Sequence, residues 1–110
     1  MSDRSRLIRS TGPALGDLED IAAYGFENWG SAKAFDCLSN LYAVIEALAA
    51  HPELGVECIG FRPGTRRFAV PAHVVYYRQI GQRILVQRVV HHRIDSRQLL
   101  SEPGFRDEHE

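Results

Sequence analysis

The chain has 110 residues, 45% of them hydrophobic and 25% charged, with a formal net charge of −1. That length supports one modest core and not two, and no apolar run approaches the ~20 residues needed to cross a bilayer. The near-neutral total conceals a division. Ser10 to Phe61 carries eight carboxylates against Lys33 alone, and Arg62 to Arg97 carries eight arginines against Asp95 alone. A dipolar molecule of this kind attracts a polyanion or an acidic protein segment to its basic half. The first eleven residues lack the apolar stretch of a secretory signal, so the expected compartment is the cytoplasm. Cys37 and Cys58 have no metal-ligand spacing and read as reduced, partly buried small residues.

Arg6, Leu7, Ile8 and Arg9 read as a short edge strand. Thr11 then offers an N-cap, Pro13 suits a first helical turn, and Asp17, Glu19 and Asp20 lie near the positive end of the helix dipole. Leu15, Leu18, Ala22, Gly25 and Trp29 make one apolar face, and Gly30 ends the helix. Ser31 is the expected cap of a second helix. Its stripe is Phe35, Leu38, Leu41, Tyr42, Ile45, Leu48 and Ala49, and it closes at His51 before Pro52. A link this short forces an antiparallel helical hairpin.

After a loop through Gly55, Gly60, Pro63 and Gly64 come three strand-like runs, Thr65 to Val70, His73 to Ile80 and Arg83 to Val90. Their connections are short enough to require hairpins, hence an antiparallel meander. The expected fold is α+β, in the order β-α-α-β-β-β, with the helical hairpin on one face of an antiparallel sheet. One domain spans residues 1–100, and 101–110 is a polar acidic tail. Both faces of the middle run are apolar, so the sheet's second face needs a cover. The candidates are the flank of the first strand, the segment Ile94 to Leu100, or another chain.

The residues from Ala14 through Asp17, Leu18, Ile21 and Tyr24 to Trp29-Gly30 carry a resemblance. So do His51-Pro52-Glu53-Leu54-Gly55, Arg62 to Phe68, His73 to Arg78, and Ile84 to Asp95. In this order and spacing the chain resembles the ParE branch of the ParE/RelE bacterial toxins. The resemblance implies a toxin made beside a ParD-like antitoxin, acting on DNA gyrase. RelE-like relatives instead cleave mRNA on the ribosome without metal, and a homologue that has lost toxicity and only binds antitoxin is a third reading. The antitoxin, through its own fold, binds operator DNA in such systems. Direct DNA binding by this chain alone, a membrane role and a cofactor are not expected.

With the resemblance, the charge division makes Arg66, Arg67, Tyr77, Arg78, Arg88 and Arg93 the candidate partner-binding residues. No residue is catalytic if the target is gyrase. If the chain is a ribonuclease, Arg67 and Arg78 clamp phosphate and His91 moves protons. Lys33 opens the second helix, away from the sheet's working face, and the strands contain no carboxylate, which favours the gyrase reading. Arg78 shares a strand face with Val74 and Tyr76, where it either pairs with a buried carboxylate or awaits a ligand. Arg93 with Asp95 reads as an ion pair past the last strand. His91 and His92, as neighbours in an extended chain, point apart and make no metal site. His73 reads as a strand-start residue bonded to backbone, and Tyr24 and Trp29 as packing of the helical hairpin.

Overall fold

The backbone of Thr11 is extended, and its hydroxyl accepts a hydrogen bond from the Ala14 N–H at 3.1 Å, the arrangement that starts a helix. In the computed structural model, which describes residues 7–93, this cap joins β1 (Ile8–Ser10) to α1 (Gly12–Trp29). Gly30, at φ +83°, reverses the chain with no further residue before α2 (Ser31–Ala50). Only glycine takes such a φ without strain. Ser31 is therefore the first residue of α2 and not its cap, and no side chain caps that helix.

A single 3₁₀ turn, Pro52–Leu54, follows, and then β2 (Val56–Glu57), β3 (Thr65–Ala69), β4 (His73–Ile80) and β5 (Arg83–His91). The sheet order is β1-β5-β4-β3-β2. Strands β3, β4 and β5 form the expected antiparallel meander. Two departures follow from residues too few to read in sequence. β1 pairs parallel with β5, Ile8 opposite Ile84, so the sheet is mixed, and the two-residue β2 adds a fifth strand against Arg66 and Arg67.

The helices bury, wholly or in part, most of each expected stripe together with small residues outside it, Ala14 and Ala34, while some of the bulkiest expected members lie exposed. Ala14, Leu18 and Gly25 face inward from α1, and Ala34, Leu41, Ile45, Leu48 and Ala49 from α2. Small residues on that line let the helices approach each other and the sheet, and the bulky ones are displaced to the flanks. Leu15 is 54% exposed, Phe35 66% and Tyr42 50%, and Trp29 is exposed as well. The core under the helices is completed by Val75 and Tyr77 of β4 and by Ile84, Val86 and Val89 of β5.

Strict alternation along β5 would put Val89 on the opposite face from Ile84 and Val86. The register explains why it is not there. Tyr76 is opposite Arg88 and Tyr77 opposite Val86, so Gln87 is an extra residue, a bulge that shifts the phase of the strand. The second face of the sheet is covered by the β2–β3 connection, which was not among the expected covers. Phe61 stacks on Tyr76 with ring centroids 5.6 Å apart, and Cys58 packs beside it on a cluster of Val74, Tyr76 and Val90. The segment 94–100, with Asp95 and its expected pairing to Arg93, lies outside the described residues, as do Arg6 and the tail 101–110.

Tyr77 ties the helical half to the loop. Its side chain is fully buried, its hydroxyl donates to the Pro52 carbonyl at 2.7 Å, and it accepts from the Gly55 N–H at 2.8 Å. Arg66 closes the same knot from the other side, its Nη1 donating to the Gly55 carbonyl at 2.6 Å. Gly55 has no room for a side chain, because a Cβ there would collide with the Tyr77 hydroxyl and ring and lie 2.9 Å from the Arg67 carbonyl oxygen. Gly55→Ala is expected to lower the unfolding free energy by about 1–3 kcal/mol, the usual range for overpacking, in urea titrations of the purified protein. An unchanged midpoint would mean the knot yields freely.

Candidate functional site

The arginines expected to meet a partner occupy quite different environments. As neighbours on a strand must, Arg66 and Arg67 point to opposite sides. Arg66 is half-buried on the Gly55 carbonyl, whereas Arg67 is exposed, with its guanidinium beside the Tyr76 hydroxyl. Arg78 is half-buried opposite Thr65 and Leu85. Arg93 is exposed, and its N–H donates to His91 Nδ1 at 3.2 Å.

Two of the six are internal. Tyr77 is buried in the knot just described and presents nothing to a partner. Arg88 forms a two-point ion pair with Asp17 of α1, Nε to Oδ2 at 2.7 Å and Nη2 to Oδ1 at 2.9 Å, with both side chains mostly covered. The same Oδ2 accepts the Val89 N–H at 2.9 Å. Counting charge along the sequence could not reveal this, because the acid that meets Arg88 is 71 residues away.

The trio that ribonuclease chemistry would require does not converge. His91 is opposite His73 at the start of β4, and Arg78 stands five residues further along β4, roughly 16 Å away at the rise of a strand. Tyr76, the tyrosine of the sheet's second face, is buried under Phe61. Burial pushes its hydroxyl above the ordinary tyrosine range, with Cys58 adding to the rise and the Arg67 guanidinium opposing it. A base for a 2′-hydroxyl proton needs the opposite conditions, access and a pKa near neutrality.

Around His91 the structure brings together residues that sequence reasoning kept apart. Strand β5 ends there and the chain turns, so the rings of His91 and His92 do not diverge but meet at 4.5 Å, with their Nδ1 atoms 3.4 Å apart. His73 meets His91 edge to face at 5.8 Å. Its pKa falls below the ordinary imidazole range because burial disfavours the cation, and His91 and His92 add to the fall. His73 and His91 line a groove of about 510 Å3 between α1 and the sheet, which is also lined by Asp20, Ile21, Tyr24 and Trp29 of α1. Tyr24 and Trp29 touch edge to face at 5.6 Å on the surface of the hairpin and not within it. Lys33 sits with its Nζ 5.9 Å from the Trp29 ring, on the helical side as expected.

The family model described as ParE toxin of type II toxin-antitoxin system, parDE, matches residues 8–96. The chain belongs to this family. It is therefore the toxin component of a type II toxin-antitoxin system. It is 40% identical over 84 residues to Toxin ParE1 of Caulobacter vibrioides, covering 76% of this chain and 86% of that protein. Toxin ParE1 of Mycobacterium tuberculosis is 35% identical over 83 residues, 74% of this chain and 85% of its own length. Among solved structures, a chain of the chromosomal ParDE system from P. aeruginosa aligns with a TM-score of 0.65 at 20% identity. That alignment covers 76% of the toxin and 92% of the P. aeruginosa chain, a likeness of fold.

The His73 environment sets a pH response. Its folded-state pKa lies below the unfolded value near 6.5, so unfolding takes up a proton as the pH falls through about 6.5, and stability declines. Between pH 7.5 and 5.5 the toxin should lose unfolding free energy, and His73→Gln should lose measurably less over the same interval. Identical slopes for the two proteins would remove His73 from the account.

Proposed function

We propose that the toxin acts by binding and inhibiting DNA gyrase, performs no chemistry itself, and is held inactive in the cytoplasm by a ParD-like antitoxin. One observation carries the choice of target over ribosomal mRNA cleavage. Arg67 and Arg78 are separated along the sheet from His91, and the nearby Tyr76 is buried with a raised pKa, so the groups for metal-free RNA cleavage are not assembled. Inhibition by binding needs no such convergence. It needs exposed surface that a partner can bury, and large apolar side chains stand exposed on both helices and on the 54–59 segment.

An antitoxin partner is supported by the family and by the likeness to a chain from the P. aeruginosa ParDE system. The groove between α1 and the sheet has the volume and apolar lining to take an amphipathic segment that folds on binding, and the exposed Arg93, two residues past His91, offers a contact for an acidic residue in that segment. Of the six candidates, five arginines and Tyr77, Arg67 and Arg93 are the exposed ones and so remain the proposed partner contacts, with Arg78 half-buried.

Plasmid supercoiling by purified gyrase tests the target. Titrating in the toxin should abolish supercoiling in a dose-dependent way and accumulate linear DNA, with full recovery on adding the antitoxin. No effect at large excess, combined with ribosome-dependent cleavage of mRNA in a translation extract, would overturn the gyrase reading.

A further inference from the structure

The connection from Leu54 to Phe61 contradicts the ordinary economy of a loop. Ile59 stands at the apex of a tight turn completed by Gly60 at φ +91°, and it is 98% exposed. A β-branched apolar side chain contributes nothing to such a turn, where glycine, asparagine, aspartate and serine are the residues that stabilise it. Val56, 65% exposed, and Leu54, 47% exposed, are further exposed apolar side chains of the same connection. Folding does not require these three side chains to be apolar.

The backbone beneath them is held firmly. The Tyr77 hydroxyl and Arg66 fix Gly55 from two directions, the Cys58 N–H donates to the Thr65 carbonyl at 2.9 Å, and the Thr65 N–H donates to the Arg62 carbonyl at 3.0 Å. Phe61 anchors the far end by stacking on Tyr76. At the foot of the knob lies a cleft of about 250 Å3, walled by Ile59 itself with Glu57, Cys58, Phe61, Arg67 and Tyr76. The result is a rigid convex tip next to a small depression with an exposed guanidinium in its wall. Rigidity of this kind reduces the entropy lost on binding, and an apolar anchor entering a pocket is the usual centre of a binding hot spot.

We infer that the 54–61 loop is the toxin's target-recognition knob, with Ile59 inserting into an apolar pocket on the target enzyme and Arg67 receiving an acidic side chain beside it. The shape selects the target over the antitoxin as occupant. A segment that folds only on binding brings its own side chains to insert and has no preformed pocket, so it fits the groove beside α1. A convex tip needs a partner with a preformed depression, which a large folded enzyme supplies. The guanidinium of Arg67 sets the required complement, an acidic rim to that depression. The inference rests on the toxin inhibiting a protein target, and it deepens that reading by naming the surface used.

The test is growth arrest on producing the toxin without antitoxin, comparing wild type, Ile59→Asp, Val56→Asp and Ile59→Val, with each protein also purified for thermal unfolding. Because Ile59 and Val56 are exposed, all four should unfold at the same temperature. Ile59→Asp should need about tenfold or more toxin to arrest growth, as expected for loss of a hot-spot anchor. Val56→Asp should be weakened less, and Ile59→Val, which keeps an apolar anchor one methylene shorter, should fall between wild type and Ile59→Asp. Arrest by Ile59→Asp at wild-type dose would overturn the inference, and so would a wild-type chain that never arrests growth. Supercoiling assays on the same proteins separate the two proposals. A toxin that arrests growth through Ile59 but leaves gyrase active keeps the knob and loses gyrase as its target.

Discussion

The carboxylate of Asp17 is the contact on which the arrangement of helices and sheet depends. Strand β5 is paired on its outer side by β1 only from Ile84 to Val86. Beyond that point its backbone would face water as an open edge, and open edges invite pairing with other chains. The start of α1 takes over where β1 stops. The Thr11 N–H donates to the Val86 carbonyl at 3.0 Å, its hydroxyl donates to the Gln87 carbonyl at 2.8 Å, and Asp17 accepts the Val89 N–H. One turn and a half of helix therefore continues the ladder with side chains and caps. The ion pair with Arg88 then fixes the azimuth of α1, and this decides which flank of the hairpin is pressed on the core and which large apolar residues are left outside.

From that azimuth comes the division of surfaces. With Ala14 and Leu18 facing inward, Tyr24 and Trp29 border the groove that His73 and His91 also line, and Leu15 is left on the outer flank. At the other end of the sheet, Tyr77 reaches through the core to hold the 52–55 turn, and Arg66 reinforces it. Two of the cations or aromatics that a charge count assigns to partners, Arg88 and Tyr77, are thus the fasteners that position the surfaces partners would use. Removing either would disturb binding indirectly, so loss of toxicity in an Arg88 or Tyr77 variant is uninformative about contact unless folding is measured beside it.

Much of this was legible in the sequence where the determinants are local. Thr11 and Gly30 act through their own backbone neighbours, and the breaks at Pro71-Ala72 and Gly81-Gln82 are turn chemistry, so the helical hairpin and the meander were both read correctly. The family resemblance rested on the same segments. What was not legible depends on distant partners. Periodicity places Leu15 beside Leu18 on a helix but cannot say that Ala14, and not Leu15, meets the sheet. Alternation along β5 fails at the Gln87 bulge, and β2 is too short to produce a pattern. His91 and His92 were expected to diverge because the chain after Val90 was read as extended, and their rings meet because it turns after His91. The exposed apolar tip at Ile59 left a trace in sequence, an isoleucine beside glycine in a turn. That trace gains meaning only once the rigid base beneath it is seen.

Hydrogen exchange at the Val89 amide tests the edge-capping account most directly. Val89 lies beyond the reach of β1, so an ordinary edge position would exchange its proton within the time of local fraying. If Asp17 holds that edge closed, the Val89 amide should exchange only through global unfolding, as slowly as the amides of Val75 and Val86 in the centre of the sheet. Exchange orders of magnitude faster than those core amides would show that α1 lifts from β5 independently, and that the Asp17 contact does not govern the fold.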